Sequence, residues 1–106
     1  MKGMKENQIL VVIKEPGQEA RVEPLFENSL EAFQKAVGGY IESVTIVSDV
    51  ALICNEEGRL MGLSYCCNWA NVDFYGPVIA VGIKGEEFAS LKASIVPFIM
   101  HNLKEV

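Results

Sequence analysis

The side chains best suited to covalent chemistry are three thiols, Cys54, Cys66 and Cys67, and one imidazole, His101. A cysteine attacks as the thiolate, so it needs a base or a positive field beside it. Cys54 shares an alternating apolar run with Val50 and Leu52 and reads as a small buried hydrophobe. Cys66 and Cys67 fall in a mixed polar segment, where His101 or a carboxylate would have to serve as base. His101 sits near the end of an apolar helical stripe, where the helix dipole favours a cation without any catalytic duty. No residue is therefore assigned a catalytic role. Zinc would draw on Cys66, Cys67, Asp73 and His101, but the paired C-x-x-C spacing that preorganises two ligands is missing, so no metal is expected. The adjacent acids Glu56-Glu57 and Glu86-Glu87 each flank a glycine in a turn, where carboxylates stay solvated rather than poised as acid and base. Nucleotide-binding loops and the G-x-S-x-G elbow are absent, and no cofactor is expected.

What remains is a polar and aromatic set: Tyr40, Glu42, Asn55, Arg59, Tyr65, Asn68, Trp69, Asp73 and Tyr75. Aromatic rings supply contact area at low entropy cost, and amides supply adaptable hydrogen bonds, which is the composition of a recognition surface. Trp69 fits a core position as well as a surface one.

These residues need a frame. Residues 8–13 are β-branched and apolar at both parities, as in a strand covered on both faces, and Glu15-Pro16-Gly17 ends them in a turn. Residues 21–25 return as a shorter antiparallel strand, placed at an edge by Pro24. Asn28 opens a helix with Glu31 at the capping-box spacing, and Leu30, Phe33, Ala36 and Val37 form its stripe up to Gly38-Gly39. Residues 40–47 and 50–55 alternate as a hairpin around Ser48-Asp49. Glu56-Glu57-Gly58-Arg59 turns the chain, and Leu60 to Leu63 resume an apolar stretch of the meander. Residues 64–77 show no period and read as a long irregular segment, the place where function usually resides. Residues 78–83 form a last buried strand, and residues 86–91 a helical turn. Ser94 caps a terminal helix with Pro97 in its first turn. That helix carries Ile95, Phe98, Ile99 and Leu103, widened by Val96 and Met100, enough for packing on the sheet or for a homodimer through this C-terminal helix. The order predicts an α+β fold, a mostly antiparallel sheet of about five strands with two helices packed on one face.

The 106 residues are expected to make one globular domain, with residues 1–7 as a flexible tail. A net charge of -5 offers no basic field for a phosphate backbone or an anionic membrane, so neither nucleic acid nor membrane is an expected partner. The acids are scattered rather than aligned, as on a solubilising surface. The apolar run at 9–13 is too short for a signal peptide, and no stretch approaches the roughly 20 residues that cross a bilayer. An odd cysteine count with two neighbours makes no disulfide framework, so a cytoplasmic location is expected.

Three segments carry a resemblance: Val37-Gly38-Gly39-Tyr40-Ile41-Glu42, then Ile53-Cys54-Asn55-Glu56-Glu57-Gly58-Arg59-Leu60-Met61-Gly62-Leu63, then Gly85-Glu86-Glu87-Phe88-Ala89-Ser90-Leu91. The chain from 8 to 91 resembles a family of small bacterial, plasmid and phage domains of unknown function. Ser64 replaces that family's proline, Asn68 fits its asparagine, and Trp69 stands where its arginine is expected. The resemblance implies a cytosolic accessory protein of mobile genetic elements and brings no assigned activity. The residues themselves point to a non-enzymatic binding or regulatory module that takes a protein or a small molecule through the 64–77 segment and the Asn55 to Arg59 turn. The alternatives are a small cysteine-dependent enzyme and an acidic inhibitor of a host protein.

Overall fold

The computed structural model describes residues 7–104. The elements are β1 (Gln8–Lys14), β2 (Arg21–Glu27), α1 (Leu30–Val37), β3 (Ile41–Val47), β4 (Val50–Asn55), β5 (Tyr65–Trp69), β6 (Val72–Tyr75), β7 (Val78–Lys84), β8 (Glu87–Ala89), a 3-10 turn (Ala93–Ile95) and α2 (Val96–Asn102). The fold is α+β, and every strand pairing is antiparallel. The described residues hold eight strands rather than about five. A six-stranded sheet runs β2-β1-β7-β4-β3 with β8 beside the far end of β7, and β5-β6 forms a separate hairpin. The expected tail at 1–7 lies outside the described residues except for Asn7, whose carbonyl accepts the Asn28 N–H.

The central strands are apolar at both parities because both of their faces are covered. Ile9, Val11, Ile13, Ala51, Ile53, Ile79 and Val81 pack on one side with Phe33 and Val37 of α1. Val12, Val50, Leu52, Cys54, Val78 and Ala80 pack on the other with Ile99 of α2, with Leu103 just after it and with the β5-β6 hairpin. The two helices thus sit on opposite faces, not on one. Successive side chains of a strand point to opposite faces, so a strand buried at every position needs a cover on each. Phe33 illustrates the energetics: it is fully buried between Phe26 and Phe88, with ring centroids 5.1 and 5.6 Å away. Burial of such a ring contributes about 1.5–3 kcal/mol.

Local chemistry sets the ends. Ser29, not Asn28, caps α1: its Oγ accepts the Ala32 N–H at 3.1 Å, while the Asn28 amide is drawn 60 residues along the chain to the Phe88 carbonyl at 2.9 Å. Gly38 closes the helix in the left-handed region (φ 82°), which a side chain resists. Pro24 lies on the edge strand β2 where the register slips between Ile9 and Val11, so its missing N–H breaks no regular ladder. The helical turn expected at 86–91 is instead β8, which continues the antiparallel run from Lys84. Ser94 does not cap α2; the 3-10 turn leads into the helix without a side-chain cap, and Pro97 occupies its first turn. No helix among the described residues is long and apolar enough to cross a membrane.

Candidate binding surface

Residues 64–77 are ordered rather than irregular. β5 and β6 pair as Tyr65 with Tyr75, Cys67 with Phe74, Asn68 with Asp73 and Trp69 with Val72, around a two-residue turn in which Ala70 (φ 55°) and Asn71 (φ 67°) are both left-handed. That is the backbone a tight hairpin prefers, usually with glycine in it. A register shift between Tyr65 and Cys67 lets Tyr65 share the outer face with Asn68, Asp73 and Tyr75, while Cys67, Trp69 and Phe74 turn inward and Val72, at the hairpin tip, stays exposed.

The outer face is one connected strip. The Arg59 guanidinium lies over the Tyr75 ring, 5.5 Å from its centroid. Tyr75 meets Tyr65 edge-on at 5.6 Å. The Tyr65 hydroxyl donates a long hydrogen bond to Asp73 Oδ1 at 3.4 Å, and Asn68 Nδ2 donates to the same oxygen at 2.7 Å. Partial desolvation first, and then the Asp73 charge beside it, push the Tyr65 phenol above its ordinary value.

The turn after β4 is locked to this strip. A Cβ at Gly58 would lie 2.4 Å from the Tyr75 carbonyl oxygen, so only glycine allows that approach. Asn55 is buried and fully committed: its Nδ2 donates to the Val37 carbonyl at 3.1 Å, and its Oδ1 accepts the Glu57 N–H at 2.7 Å. The Tyr40 carbonyl accepts the Glu56 N–H at 2.8 Å, and the Tyr40 ring is 73% exposed. Glu42 stands opposite Cys54 on the edge strand β3.

The structure therefore brings Arg59, Tyr65, Asn68, Asp73 and Tyr75 together. Asn55 supports them as a joint in the backbone, while Tyr40 lies just before β3 and Glu42 within it. Trp69 faces inward, half-buried, and meets Phe98 of α2 edge-on at 5.7 Å. Two residues escaped the sequence reading. Leu60 (87% exposed) and Met61 (53% exposed) were expected to resume the meander and instead stand out on the turn directly after Arg59. The signal for them was the spacing: an apolar pair held between Gly58 and Gly62 has too few residues for a strand. None of the nine residues lines the open groove of about 870 Å³ bounded by the β3-β4 turn, the end of β7 and the 3-10 turn.

All three thiols are buried. Burial, with the charges of Glu42 and Cys67 adding to it, pushes the Cys54 thiol up to about 11. Cys66 Sγ lies 3.3 Å from the Lys14 carbonyl, to which it can donate. Among the described residues no three histidine, cysteine or acidic side chains gather as a metal site would require.

No curated protein and no solved structure matches this chain. A family model does: the one described as domain of unknown function DUF3846 matches residues 5–104, and the chain belongs to that family.

Proposed function

We propose that this protein is a non-enzymatic binding module that captures another protein through the 56–63 turn and the outward face of the β5-β6 hairpin. The observation that carries the reading is Leu60 and Met61, exposed on a turn that Gly58 and Asn55 hold against the hairpin, beside the Arg59-Tyr75-Tyr65 strip. Arginine, tyrosine and methionine are the residue types enriched in protein interfaces, and here they stand together on a rigid backbone beside an exposed leucine. The burial of every thiol weighs against a cysteine nucleophile, which needs an accessible thiolate. The mobile-element setting rests on the three resembling segments, the cytoplasmic location on the odd cysteine count as well, and the regulatory role on the same polar and aromatic residues; all three belong to the same proposal.

A photoreactive amino acid replacing Leu60, compared with one replacing the exposed Lys35 on α1, tests the surface in cells. Discrete protein adducts from position 60 that vanish when Arg59→Ala and Met61→Asp are added, with the melting temperature unchanged, are the expected result. Equal adducts from both positions, or none from position 60, would overturn the reading.

A further inference from the structure

The two edges of the main sheet are built differently. β2 carries Arg21, Glu23 and Glu27, a proline at its register slip, and ion pairs from Arg21 to Glu15 (2.8 Å) and Glu23 (3.9 Å). These are the usual devices that stop a sheet from growing. β3 has none of them over most of its length. Its sequence, Ile41-Glu42-Ser43-Val44-Thr45-Ile46-Val47, holds one charge and no proline. Its register against β4 is regular from Ile41 to Thr45 and slips only beyond Thr45.

Hydrogen-bond alternation shows which groups stand open. The Tyr40 carbonyl faces β4, because it accepts from Glu56. Residues 42 and 44 then face β4 as well, and the N–H and C=O groups of Ile41, Ser43 and Thr45 point away from the sheet. β3 ends the strand order, so no described strand takes them.

The geometry points to β3 as a homodimer edge: a second copy adds antiparallel across a two-fold axis at Ser43 and joins the two sheets into one. The regular run 41–45 is centred on Ser43, which selects the register. Ser43 then pairs with its own copy and Ile41 with Thr45 of the other copy, for about six main-chain hydrogen bonds. Glu42 falls opposite Val44, so no like charges stand directly across from each other; the two Glu42 carboxylates lie on the diagonal, about 7–8 Å apart at Cβ, where their exposed side chains can swing apart into water. Val44, half-buried against the core beneath the hairpin, gains cover from the added strand. A second copy fits this edge because it brings an equally bare strand with the matching register.

The test uses the full chain in sedimentation equilibrium and native mass spectrometry, with circular dichroism to confirm folding. Ser43 is exposed, so Ser43→Lys and Ser43→Glu are compatible with the fold. The wild type is expected to dimerise. Each variant sets like charges across the two-fold axis and is expected to raise the dimer dissociation constant about tenfold or more. Mixing the two variants brings opposite charges together and should restore a heterodimer, while Ser43→Ala should stay dimeric. A wild type that is monomeric at about 100 µM overturns the inference, as expected if the edge served a different chain. So does a dimer indifferent to both charges, the result an α2 interface would give. A mixture that fails to form heterodimers overturns the register.

Discussion

Asn55→Ala removes the side chain that joins α1, β4 and the binding turn, and its cost can be worked from the two bonds lost. The Val37 carbonyl loses the Nδ2 donor at 3.1 Å in a buried setting, for about 1–3 kcal/mol. The Glu57 N–H loses Oδ1 at 2.7 Å, for about 1 kcal/mol because water can replace part of it. The expected destabilisation is about 2–4 kcal/mol, which in a domain of this size lowers the melting temperature by roughly 10–25 °C. Urea unfolding followed by Trp69 fluorescence measures it, with the midpoint shifted and the slope unchanged. Asn55→Asp separates the two bonds. It keeps an acceptor for Glu57 but turns a carboxylate toward the Val37 carbonyl, so at neutral pH it should be as damaging as alanine. Burial against a carbonyl raises that acid above the ordinary aspartate range, so as pH falls from neutral the protonated form can donate and part of the loss should return. A loss under about 1 kcal/mol for alanine, or an aspartate variant as stable as the wild type at pH 7, would refute Asn55 as a structural joint and return it to the binding surface.

Two further outcomes follow from the same geometry. Gly58→Ala drives a Cβ into the Tyr75 carbonyl, 2.4 Å away, so the turn must lift off the hairpin; about 1–3 kcal/mol of stability and the Arg59-Tyr75 contact should be lost together, read by thermal melting and by the Arg59 side-chain NMR shift. The Cys54 thiol, at about 11 in the fold against 9.0 when exposed, stays protonated longer in the native state than in the unfolded one. Its contribution is whole below pH 9 and disappears as pH rises toward 11, so urea-unfolding stability should fall more steeply over that window in the wild type than in Cys54→Ala; parallel curves would contradict the assignment.

Much of the frame is legible in the sequence because it rests on short-range patterns. The apolar runs at 8–13 and 78–83, the Ser48-Asp49 hairpin and the Gly38 helix stop each announce themselves within ten residues. The placement of the helices was missed: the element order suggested one face for both, although the apolar character of β1 at both parities already demands a cover on each. The β5-β6 hairpin was missed as well. Its turn uses Ala70-Asn71 where glycine would have signalled it, and the slip at Cys66 breaks the alternation that betrays a strand. β8 was hidden because Phe88 and Leu91 fall at helical spacing, while their real partners, Ile83 across the ladder and Leu10 through a backbone bond, are set only by the tertiary fold. At the site, residue types pointed to recognition, but the split between an outer strip and an inward Trp69 depends on that same slip and on no local pattern.

The order in which the sheet is assembled differs from the order in which it is synthesised. β1 with β2 and β3 with β4 are hairpins of neighbours, yet β1 and β4 meet only through β7, which enters between them as the seventh strand. A nascent chain that has not yet released Val78 carries two separate ribbons whose apolar faces have no common sheet to close over. Closing the sheet requires a pairing that spans more than sixty residues, from Val12 to its partner Ala80, and pairings of that range are intrinsically slow to form. Until that strand arrives, the apolar faces and inner edges of both ribbons stay open, the condition in which an incomplete chain is prone to aggregate.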